Sequence, residues 1–233
     1  ILSSSSDSEC NKCEYKNQDQ QFSKAIRYAQ DNGTKVVLAS KIGFEPSRMP
    51  NDYLVIPSKK IMEAKPEIGL VDHEKDAIDN VSRRYTIYNS VSDDPQKKYL
   101  SLGVQTALSY LDLDKELIIE EYIEEDKIVI NGLNMHAYRK EASFLMNYYG
   151  PVSSVYNTFP RYSISQVIDN DDYDLLINQE DNDWMDMYIN NSHPLYSLFG
   201  EAKNPFNDKI VIIGSSLKED HDLTETPFFS YGG

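Results

Sequence analysis

The chain has 233 residues with 40% hydrophobic content, enough for an ordinary globular core in one large domain or two small ones. Its 23 Lys and Arg against 38 Asp and Glu leave a formal net charge of -15, which repels phosphate backbones and anionic membrane surfaces and argues against a nucleic-acid partner. The longest apolar run is about five residues where roughly 20 are needed to span a bilayer, and no charged-then-apolar leader opens the chain.

The opening "ILSSSSDSEC" lacks an initiator Met and the closing "PFFSYGG" is equally abrupt, so the expectation is a domain cut from something longer. Cys10 and Cys13, in "CNKC", make half a zinc site, and no second pair or close His cluster completes four ligands. In so polar a loop the pair reads as a short-loop disulfide or two free thiols, and no metal and no cofactor is assigned.

Phe22, Ala25, Ile26 and Ala29 form a helical stripe that Asn32-Gly33 stops, and "KVVLAS" at 35–40 then reads as a buried strand. "YLVIP" at 53–57 and "RRYTIYN" at 83–89 predict further strands, the second alternating more clearly. Leu100, Val104, Ala107, Leu108 and Leu111 fall on one face, which predicts an amphipathic helix over 99–111 packed on the sheet. Next, 126–131, 133–139 and 142–150 are closely spaced strands with Asn131-Gly132 as a turn, an antiparallel meander. From Tyr162 to Ala202 nine acids face no Lys or Arg, which reads as a solvated excursion; "DNDDYD" and "EDNDWMD" lack the Gly and distal Glu of a calcium loop. Lys209 to Ile213 is a β-branched run without polar alternation, the mark of a strand buried on both faces. The fold class expected is therefore α/β, with a mixed, largely parallel central sheet flanked by helices and extended by the antiparallel meander, and residues 1–233 forming a single domain.

Gly214 ends the last strand and Ser215-Ser216 begin a turn at its carboxyl end, where ligands collect in open α/β sheets. Ser215, Ser216 and His221 with Asp220 or Asp222 supply the residue types of a hydrolytic triad, but the G-x-S-x-G elbow is missing and one loop does not hold the base on a separate rigid element. The reading preferred is structural, with Gly214 permitting a tight exit and Asp222 tying down loop amides, and ligand contact by Gly214, Ser215, Ser216 and Asp222 is the functional alternative. Arg83 and Arg84 open a strand and could hold an anion bidentately, although Asp72, Asp76 and Asp79 stand close enough in sequence to pair with them. No two of His73, His136, His193 and His221 have the i, i+4 spacing of metal ligands on a helix.

Four segments, in order, resemble the extracytoplasmic CHASE sensor domain of the second type. They are "FSKAIRYAQDNGTKVVLAS", "GLVDHEKDAIDNVSRRYTIYN" with the helix "YLSLGVQTALSYL", "ASFLMNYYGPVSSVYNTFPRYSISQVI", and "FNDKIVIIGSSLKEDHDLTETPF" with its strand into Ile-Gly, then Asp and Thr-Pro. The resemblance covers most of the chain from Phe22 onward. It implies a noncatalytic sensor on the periplasmic or cell-surface side of a bacterial receptor whose cytoplasmic effector is a histidine kinase or an adenylate or guanylate cyclase. It also implies a homodimer, an unknown small-molecule or protein signal, and membrane helices outside this chain. The resemblance leads to the expectation of a strand and helix upstream of Ile1 that this sequence does not include, and the acidic stretch at about 169–202 is read as an insertion. The alternative is a protein-interaction or structural domain that reads a partner through that acidic face without a small molecule.

Overall fold

The computed structural model describes residues 17–47, 49–72, 78–79, 81–113, 116–149, 159–168 and 184–214. They fall into two compact units, one up to Asn147 and one from Tyr148 onward.

In the first unit, helix α1 (Gln18–Asp31) buries Ile26 and Ser23 on its inner stripe. It stops where Asn32 Nδ2 donates to the Tyr28 carbonyl at 2.7 Å and Gly33 turns away at φ +85°. Strand β1 (Val37–Phe44) extends beyond the expected 35–40 because its two halves find different partners. Lys41–Phe44 pair antiparallel with β2 (Asp52–Val55), and Val37–Ser40 pair parallel with β3 (Glu67–Leu70). The short helix α2 (Lys59–Met62) leads from β2 toward β3; Ser58 before it donates to Asp19 Oδ2 at 2.7 Å, tying α2 to α1. Ile26, Ile61 and Ala64 close a small core, against which Val36 and Leu38 pack. Neither α2 nor β3 stood out in the sequence: four residues are too few for a helical period, and "EIGL" is too short to alternate.

The expected strand at 83–89 is two strands in different sheets. Strand β4 (Arg84–Thr86) pairs with residues 143–145, and β5 (Tyr88–Val91) pairs with β6 (Asp94–Leu100). The break falls at Ile87, which is fully buried; its N–H donates to the Ala142 carbonyl at 2.7 Å and its carbonyl accepts from the Ser101 N–H at 2.9 Å. β6 runs into helix α3 (Leu102–Tyr110), so the first residues of the expected helix are strand. Gly69 lets β3 meet α3 closely: a Cβ there would stand 2.5 Å from Leu102 Cα. The meander is present but shifted. It runs β7 (Ile119–Tyr122), β8 (Lys127–Ile130), β9 (Leu133–His136), with β7 unexpected, while β10 (Ser143–Leu145) leaves to pair with β4. The Asn131-Gly132 turn forms with φ of +48° and +85°, and Asn131 locks it by accepting from Ile118 N–H at 2.7 Å and donating to the Leu113 carbonyl. Ile87, Leu100, Val104, Leu108, Ile128, Ile130 and Ala137 form the main core.

The second unit is built differently. Helices α4 (Ile164–Ile168) and α5 (Asp186–Ile189) are short, and Trp184 gathers Tyr162, stacked at 5.5 Å and 14°, with Phe206 and Tyr188 edge-on. The acidic stretch is not solvated throughout: Met185 and Asp186 are buried, while 169–183 lie outside the described residues. The expected buried strand at 209–213 is not one. Residues 210–214 carry no regular secondary structure, and Ile212 and Ile213 are 87% and 81% exposed. A β-branched run makes extended backbone favourable, but a strand needs a neighbour's ladder, and this unit has no strand among its described residues.

The protein is thus mixed α/β with several small sheets. Of the expected largely parallel centre, the described residues carry the β1–β3 pair and a parallel bridge from Leu70 to Ser101; the other pairs are antiparallel.

Candidate ligand-binding site

The residues marked by sequence separate on inspection. Arg83 makes a bidentate pair with Asp79 at 2.9 and 2.6 Å, and Asp79 also accepts from Val81 N–H at 3.2 Å. The Arg83 hydrogen bonds, then that N–H, hold the Asp79 carboxyl at about 2, below its ordinary 3.8. Arg84 turns to Glu141 at 3.1 Å, a partner 57 residues away that proximity in sequence did not suggest. Internal pairing, which the sequence offered beside anion binding and which is the favoured reading, therefore describes both arginines, with different acids. Asp72 is used elsewhere, accepting from Ile42 N–H at 2.8 Å beyond the end of β3. Gly214 is exposed with open space around its α-carbon. Ser215, Ser216, Asp220, His221 and Asp222 lie outside the described residues, as do Cys10 and Cys13.

A concave surface of the first unit lies elsewhere. A cleft of about 390 Å³ opens beside α3. Gly103, Val104, Ala107 and Leu108 line it from the helix, at the i, i+3, i+4 spacing that puts them on one face. Leu133, Asn134 and Met135 line it from β9, and Tyr85 and Phe144, on the paired strands β4 and β10, close it with rings 5.7 Å apart. Tyr85 reaches across because residue 103 has no side chain. Its hydroxyl oxygen accepts the Gly103 N–H at 2.9 Å, satisfying one orphan donor of the first helical turn, and a Cβ on Gly103 would lie 3.1 Å from that oxygen. Among the described residues no charged side chain lines the cleft. Val104, Ala107 and Leu108 were legible as the packed face of a helix, but nothing in their spacing told a filled core from a hollow one.

Nearby, Tyr88 donates to Glu121 Oε1 at 2.5 Å, and Lys98 pairs with the same carboxylate while its Nζ stands 4.4 Å from the Tyr88 ring centre. Burial pushes the Lys98 ammonium down and the Tyr88 phenol up. This cluster joins β5 and β6 to β7 and uses its own charges internally. Among the described residues no group of three metal-ligating side chains comes together, and no helix is long and apolar enough to cross a membrane.

A family model described as CHASE2 domain matches residues 1–233. No curated protein and no solved structure matches the chain.

Proposed function

The chain belongs to the CHASE2 domain family, whose members are extracytoplasmic sensor parts of receptors, and from that premise we propose that it senses a signal outside the cytoplasm and governs an effector inside. A sensory domain of this family is not itself catalytic. The effector is a nucleotide cyclase or a histidine kinase, and the membrane helices that connect the two lie in other parts of the receptor. The observation that carries the reading is the match along the whole of residues 1–233.

The mechanism is a shift between two arrangements of a receptor homodimer, biased by a signal that binds one better. The parallel β1–β3 pair and the Leu70–Ser101 bridge support a larger, mostly parallel sheet as the frame of one sensor domain. Ligand contact by Gly214, Ser215, Ser216 and Asp222 remains part of this reading. Arg83 and Arg84 are held by internal partners that include Asp79 and Glu141, and would join it by exchanging such partners for an anionic ligand. Deleting the domain from the intact receptor, with effector output measured across growth conditions, tests the proposal. Loss of a conditional response is expected; output identical to that of the unmodified receptor in every condition overturns it.

A further inference from the structure

We infer that the cleft beside α3 is a binding site for a small uncharged molecule with an aromatic or aliphatic body and one hydrogen-bond acceptor. The size fits, since 390 Å³ is within the range of about 300–1,000 Å³ typical of small-molecule sites. The walls select against charge. Val104, Leu108, Ile130, Leu133, Met135 and Phe144 present carbon and sulfur, and an ion brought among them would lose its hydration with no counter-charge to replace it.

The same walls supply one directed polar group. Tyr85 already uses its oxygen to accept the Gly103 N–H, and no acceptor for its own proton is found among the described residues. That proton is the donor available to a ligand carbonyl, ether or hydroxyl. Asn134 is exposed, and its amide is a second polar group at the cleft. The arrangement resembles small-molecule sites in general, where apolar surface supplies affinity and a few fixed polar groups set orientation.

Calling the bound molecule the receptor's signal rests on the sensor reading, but binding itself does not, so the two are tested apart. The 233-residue chain is titrated with methyl benzoate, benzoate and ethylbenzene while its methionine methyl groups are followed by NMR. Methyl benzoate is expected to shift the Met135 methyl saturably and to leave Met49, which is 89% exposed, unmoved. Ethylbenzene, lacking the acceptor, should bind several-fold more weakly, and benzoate more weakly still. Ala107→Phe fills the cleft and should raise the methyl benzoate Kd by about tenfold or more. Tyr85→Phe should erase the preference for methyl benzoate over ethylbenzene.

An unmoved Met135 methyl in the unsubstituted chain overturns the inference without recourse to any variant. Benzoate binding as tightly as methyl benzoate, or ethylbenzene doing so, overturns it as well. A blank titration alongside a receptor whose response needs the domain would sink this site and leave the sensor reading standing. Saturable binding alongside a receptor indifferent to the domain would do the reverse.

Discussion

The unit up to Asn147 and the unit from Tyr148 onward are held together by different physics. In the first, the ten strands among the described residues satisfy one another's backbone groups and place Ile87, Leu108 and Ile130 at 0%, 1% and 0% exposure. In the second, the described residues carry short helices and turns, and their cohesion comes from rings: Tyr162, Trp184, Tyr188, Phe199 and Phe206 touch in a chain of stacked and edge-on pairs at 5.1 to 6.4 Å. The second unit accordingly leaves Ile164, Ile189 and Leu198 more than half exposed. Aliphatic side chains interdigitate once a sheet has fixed their spacing, whereas a few large rings hold irregular backbone by area alone. The contrast bears on function, because a cleft with defined walls requires the first kind of order.

The largest effect should come from emptying the first unit's core. Leu108→Ala removes a side chain at 1% exposure that is also a wall of the cleft, and should cost about 3–4 kcal/mol in chemical denaturation followed by far-ultraviolet circular dichroism. A cost below about 1 kcal/mol would mean the core is loosely packed and the contrast false. Gly69→Ala should cost about 3 kcal/mol by the same measurement, because its Cβ would meet backbone at 2.5 Å and neither β3 nor α3 can yield without breaking the pairing. The second unit should answer more mildly. Phe206→Leu keeps apolar bulk but loses the ring contacts at 5.1 Å to Tyr162 and 6.4 Å to Trp184, a change of about 1 kcal/mol with a red shift in emission from the chain's single Trp. Unchanged emission would show that the cluster does not shield Trp184.

Periodicity was sufficient where an element is long or its turn chemistry is specific. The stripe at Phe22 to Ala29 gave α1, the Leu100 to Leu111 face gave α3, and Asn131-Gly132 gave the β8–β9 hairpin, because each depends on neighbours in sequence. It failed where the deciding partner is distant. The 83–89 run divides at Ile87 because Ala142 and Ser101 bind its two backbone groups on behalf of separate sheets, and β10 leaves the meander for β4. Lys209 to Ile213 has the composition of a buried strand without a ladder among the described residues of its unit. Of the site residues, the arginine pair was visible as a choice between ligand and ion pair, and the Asp79 partner was within reach of sequence while Glu141 was not. The cleft was invisible, since Tyr85 lining it depends on the missing side chain at Gly103 on another element.

The smallest effect expected is electrostatic and sharpens the account of the arginines. Asp79 sits at about 2 in the folded chain against 3.8 ordinarily, so folding favours its ionised form. The resulting contribution to stability is fully present above about pH 4, declines as the pH falls between those two values, and is gone below about 2. Both partners are near 40% exposed, so solvent and salt screen the pair and its loss should be barely visible in a melting curve. A carboxyl-carbon NMR titration reads it directly. Arg83→Gln should return Asp79 toward 3.8, because the Arg83 hydrogen bonds are the leading cause of the shift and the Val81 N–H alone is a weaker one. Should Asp79 titrate near 3.8 in the unsubstituted chain, Arg83 is not committed to it and the bidentate pair does not persist in solution.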